Sequence, residues 1–97
     1  SISVGGMLGN SWWMTNAMKS DVRKAVKANS SAKSLVCTGI VKPGGTKAWL
    51  KTLGLKRAEA ACWIAKLQNP KLKVSYKYVT SKPTDKVQRG FTLTFNK

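Results

Sequence analysis

The sequence predicts an α/β (α+β) two-layer sandwich of about four strands, with two to three helices on one face. Three observations carry this. Apolar residues recur at helical spacing around Met14 to Val26 and again around Ala58 to Ala65. They alternate at strand spacing from Leu72 to Tyr78 and from Phe91 to Phe95. The segments follow the order strand, helix, strand, helix pair, strand, strand, punctuated by Gly, Pro and Asn.

Ile2-Ser3-Val4 alternates apolar and polar and reads as a short first strand that Gly5-Gly6 ends. Thr15 or Asn16 can cap a helix over residues 15–28. Its stripe is Met14, Met18, Val22, Ala25 and Val26, while Lys19, Arg23, Lys24 and Lys27 face away. The Trp12-Trp13 pair ahead of it is expected to close over the core, the alternative being an exposed apolar edge.

Residues 34–41 form a strand with Leu35, Cys37 and Gly39 on one face and Val36, Thr38 and Ile40 on the other. Apolar residues on both faces suit a central strand. Lys42-Pro43-Gly44-Gly45 is the turn that follows. A short helix is expected from Thr46 to Leu53. Gly54 interrupts it, because a mid-helix Gly costs ~1 kcal/mol against Ala. A second helix then runs over residues 55–68, with Ala58, Ala61, Cys62 and Ala65 turned inward and Asn69-Pro70 stopping it.

Over residues 71–79, Leu72, Val74, Tyr76 and Tyr78 share a face expected to be core. Lys71, Lys73, Ser75 and Lys77 form the basic, wet face. Residues 80–87 are a polar loop. Phe91, Leu93 and Phe95 belong to the last strand, which is expected to pair with the strand before it as a long-loop hairpin.

Composition narrows the function. The 97 residues make one domain, expected to be a piece of a larger secreted or envelope protein. Eighteen Lys and Arg against Asp21, Glu59 and Asp85 give a net charge of +15, which draws the domain to polyanions: nucleic acid, anionic lipid or acidic wall polymers. There is no His, and three scattered carboxylates do not assemble the acid/base pairs or metal clusters of most enzymes. A serine or threonine without His or a paired Lys is no credible nucleophile. The sequence therefore predicts no enzyme, no cofactor and no metal site. No stretch reaches the ~18–20 apolar residues of a membrane span, and Ser1-Ile2-Ser3 does not open a signal peptide.

The two cysteines lack CxxC spacing. Cys37 sits on a strand face, and Cys62 on the inward stripe of the helix that packs back on it. That arrangement suits a disulfide, while two buried free thiols are the alternative. A disulfide belongs outside the cytosol.

Residues 39–58 resemble the core motif of OmpA-like (MotB-like) peptidoglycan-associating domains. That motif reads roughly Gly-x-Thr-Asp-x-x-Gly-x-x-x-x-Asn-x-x-Leu-Ser-x-x-Arg-Ala. Laid on without a gap, Gly39, Gly45, Leu53, Arg57 and Ala58 match. Gln88-Arg89 looks like the family's Asn-Arg-Arg run before the final strand. The resemblance implies the OmpA C-terminal-domain fold and a non-catalytic cell-envelope or cell-wall module. The cysteine pair is similar to a secreted, Gram-positive (actinobacterial-type) variant.

The resemblance also implies a ligand site in which an Asp and an Arg grip the diaminopimelate of the peptide stem. Here the Arg is Arg57, but the Asp position is Lys42, the Asn position Leu50 and the Ser position Gly54. A lysine cannot accept a hydrogen bond from an ammonium and repels it. Arg57, Lys42 and Arg89 are therefore the candidate anion or wall-binding residues. Arg57 either forks a carboxylate or phosphate or is retained because its stem packs between helix and loop.

Two other functions stay open: a basic binder of anionic polymers, with nucleic acid engaged through charge only, and a ligand-free interaction domain. The oligomeric state is not legible in the sequence.

Overall fold

The computed structural model describes residues 1–97. Six elements follow in order: β1 (Ile2–Gly5), α1 (Asn16–Ala28), β2 (Ser34–Val41), α2 (Lys47–Gln68), β3 (Lys73–Thr80) and β4 (Gly90–Asn96). The strands form one mixed sheet in the order β1-β4-β2-β3. Strand β2 runs parallel to β3 and antiparallel to β4, and β1 is antiparallel to β4. Both helices lie on the face that carries Leu35, Cys37, Phe91 and Leu93, so the architecture is a two-layer α+β sandwich.

Each helix starts on a threonine. The Thr15 hydroxyl accepts from the Met18 amide and the Thr46 hydroxyl from the Trp49 amide, each satisfying an N–H that the first helical turn leaves free. Met18, Val22, Ala25 and Val26 of α1 are buried against the sheet layer.

Two expectations about α2 and its neighbours are corrected. Gly54 does not break the helix; α2 is continuous for 22 residues. Its glycine serves close approach. A Cβ on Gly39 of β2 would collide with the Gly54 carbonyl, and a Cβ on Gly54 would collide with the Tyr78 side chain. Gly39 and Tyr78 are register partners, so helix and sheet meet most closely here. The local cost of one glycine is outweighed by the packing it permits.

The expected β3–β4 hairpin does not form. β2 lies between the two strands, and α2 supplies the crossover that a parallel β2–β3 pair requires. The physical reason lies in the side chains. Phe91 and Leu93 of β4 are fully buried, which demands a central position, whereas lysine-bearing β3 tolerates the edge. Edge placement also corrects the expectation for Tyr76. It is on the helix-facing side but 47 % exposed, because its strand has only one neighbour.

Cys37 and Cys62 are joined, with their Cα atoms 5.9 Å apart. The bond ties α2 to the strand beneath it across a separation of 25 residues. Cys62→Ser is expected to lower unfolding stability by about 3 kcal/mol, the loop-closure entropy of such a cross-link. Urea denaturation of native and reduced protein checks this. Gly39→Ala is expected to cost about 3 kcal/mol in the same assay, because backbone blocks the new methyl group.

Candidate functional site

The three candidate residues come from three parts of the fold. Lys42 follows β2, whose end is tied down by the Ser81 amide donating to the Val41 carbonyl. Arg89 precedes β4, and its carbonyl accepts from the Met7 amide. The loop before it is held by Gln88, whose amide nitrogen donates to the carbonyls of Lys82 and Asp85, each at 2.7 Å. Gln88 also pairs through its oxygen with the Ser81 hydroxyl at 2.9 Å. Arg89 therefore stands on a braced loop.

Lys42 and Arg89 line one cleft of about 270 Å³, together with Asn10, Gly44, Trp49 and Leu50. Gly44 and Gly45 turn the chain there with φ of 139° and 85°, a conformation that favours glycine. Trp49 is fixed by its indole N–H donating to the Asn10 side chain at 3.3 Å. The cleft thus gathers two positions where the sequence departs from the OmpA-like motif, Lys42 and Leu50.

Arg57 is not in the cleft wall. It is fully buried, and its guanidinium donates four hydrogen bonds to backbone carbonyls. Nε reaches Ser11 at 2.9 Å, and one terminal nitrogen reaches Ile40 at 2.7 Å. The other reaches Leu8 at 2.8 Å and Gly9 at 3.1 Å. Four of its five N–H donors are thereby committed to the protein's own chain. Burial pushes the guanidinium below its ordinary pKa, and the positive charge of Arg89 pushes the same way. Arg57 and Arg89 thus hold two like charges near one another.

Sequence reading missed the segment formed by Leu8, Gly9, Asn10 and Ser11, which Arg57 draws over the end of β2. A signal for its burial exists. Arg57 lies four residues after Leu53 and four before Ala61, on the inward stripe of α2. Trp12 and Trp13 are also corrected. They do not seal the core; they are 42 % and 75 % exposed. With Trp63 they line a separate cleft of about 330 Å³. The pair directly follows Ser11, whose carbonyl Arg57 holds. No three His, Cys, Asp or Glu side chains converge as a metal-binding group. No helix is long and apolar enough to cross a membrane.

No family model matches the sequence, nor does any curated protein. Among solved structures, the C-terminal domain of MotB from Helicobacter pylori superposes with a TM-score of 0.78. That match has 10% identity and covers 100% of this chain and 85% of that one. The fold is OmpA-like. An OmpA-like domain of FopA1 from Francisella tularensis matches as well, with a TM-score of 0.73 and 16% identity over 95% of this chain and 70% of that one. At these identities the OmpA-like likeness is one of backbone, and the side chains of the cleft are this chain's own.

Arg57→Ala is expected to destabilise the domain by about 2–4 kcal/mol, because it orphans the buried Ile40 carbonyl and releases the Leu8 to Ser11 segment. Lys42→Ala, at an exposed position, is expected to stay within about 0.5 kcal/mol of the native protein. Parallel urea titrations of the two variants check both.

Proposed function

We propose that this chain is a non-catalytic, extracytoplasmic module that associates with the cell wall, and that its cleft receives acidic groups of that wall. The observation that carries the proposal is the cationic cleft, walled by Lys42 and Arg89, on an OmpA-like backbone that spans the whole chain. The Cys37–Cys62 bond supports a site outside the cytosol.

The charge reversal supports this ligand class. An Asp at position 42 would accept from an ammonium; Lys42 beside Arg89 favours carboxylate or phosphate. Arg57 acts as a positioning residue in this reading. It holds the Gly9 and Asn10 side of the cleft and adds positive potential from below. The net charge of +15 raises the local concentration of any wall polyanion and speeds encounter. Nucleic acid is engaged only through that same charge.

Co-sedimentation with peptidoglycan sacculi, carrying or stripped of their anionic polymers, tests this at low and physiological salt. Retention is expected where the polymers are present. It should weaken as salt rises and fall severalfold in Lys42→Glu and in Arg89→Ala, with the fold intact by circular dichroism. Equal retention of native protein and Lys42→Glu on polymer-bearing sacculi would overturn the acidic-group assignment. Absence of retention on either preparation would overturn wall association itself.

A further inference from the structure

The second cleft lies away from Lys42 and Arg89, between the segment leading into α1 and the outer face of α2. Three indoles line it: Trp12, Trp13 and Trp63. Trp13 and Trp63 are 75 % and 65 % exposed, although tryptophan is highly buried on average. Three indoles around one open hollow form a concentrated apolar surface in a chain of strong positive charge, and such surfaces mark binding sites. The volume of about 330 Å³ is in the range of small-ligand sites.

The polar groups of this cleft are few and mixed. Lys19 and Lys56 supply ammonium donors, and Glu59 supplies a carboxylate acceptor. The Lys56 ammonium stands 5.6 Å from the centre of the Trp12 ring. Its stem covers apolar surface while its charge stays at the cleft.

We infer that this aromatic cleft binds an acidic glycan, a strand of pyranose rings that carries carboxylate groups. Each part of the lining then has a role. The C–H groups on the face of a pyranose are weakly positive and stack on the negative faces of the indoles. Sugar hydroxyls donate to Glu59. Sugar carboxylates meet Lys19 and Lys56, two cations against one carboxylate, within a chain of net charge +15. An anionic bilayer fits less well, because it is flat where the cleft is concave and would press its charge against Glu59. That the glycan belongs to the wall rests on the function proposed above; the stacking chemistry does not.

The test titrates the native domain at physiological salt with a soluble tetrasaccharide of alternating N-acetylglucosamine and glucuronic acid. Tryptophan fluorescence and calorimetry read the binding. Polyphosphate supplies charge without rings, and phosphatidylglycerol vesicles supply a lipid surface. The tetrasaccharide is expected to bind and to change indole emission. Trp63→Ala and Trp13→Ala, both at exposed positions, should each weaken it at least about tenfold, the loss expected for one stacked ring. Lys77→Ala, which removes an exposed cation outside both clefts, should leave tetrasaccharide binding unchanged. That result separates this cleft from diffuse positive charge, and sacculus retention of the Trp63→Ala variant reports on the wall reading independently. Three outcomes would overturn the inference: no tetrasaccharide binding; polyphosphate binding as well as the sugar with Trp63→Ala indifferent; or tryptophan-dependent binding to vesicles alone.

Discussion

The structure depends on one buried cation. Arg57 has no carboxylate partner; its charge is met by the carbonyl dipoles of Leu8, Gly9, Ser11 and Ile40. A guanidinium suits this because it is planar and presents donors in several directions at once, which an ammonium on a flexible stem cannot reproduce. Through this single group, α2 holds the end of β2 and the segment that precedes α1. No buried side-chain nitrogen or oxygen is left without a partner, and these hydrogen bonds offset part of the desolvation that holds the guanidinium below its ordinary pKa.

Both clefts flank the tethered segment. On one side, the captured Gly9 and Asn10 complete the wall opposite Lys42 and Arg89. On the other, the chain leaving Ser11 sends Trp12 and Trp13 outward to meet Trp63 of α2. The arginine that the OmpA-like motif assigns to a ligand carboxylate here holds the protein's own backbone. The side chains of the two clefts around it are cationic in one and largely aromatic in the other.

The α2–sheet contact is the second organising constraint. Gly39 and Gly54 allow α2 and β2 to approach backbone to backbone, and the Cys37–Cys62 bond pins the same pair of elements further along. Small residues Ala58 and Ala61 keep the helix close between these points. A domain of this size gains from such measures, because its core alone leaves a narrow margin of stability.

Much of this was legible in the linear chain. Period and punctuation determined the number of strands, the presence of α1, and the inward stripe of α2 beyond Gly54, and narrowed the α1 cap to Thr15 or Asn16, because these are local consequences of backbone geometry. The pairing of Cys37 with Cys62 followed from placing one on a strand face and the other on the helix that returns to it. Tertiary structure alone decided the order of strands, because burying Phe91 and Leu93 against β2 sends β3 to the edge and leaves Tyr76 exposed. It likewise decided that Gly54 continues a helix, since the benefit lies in contacts with Gly39 and Tyr78 that are remote in sequence. The fates of Arg57 and of the Trp12-Trp13 pair belong to the same class. Three of the Arg57 hydrogen bonds span more than forty residues, and no local pattern encodes which distant carbonyl a guanidinium will meet.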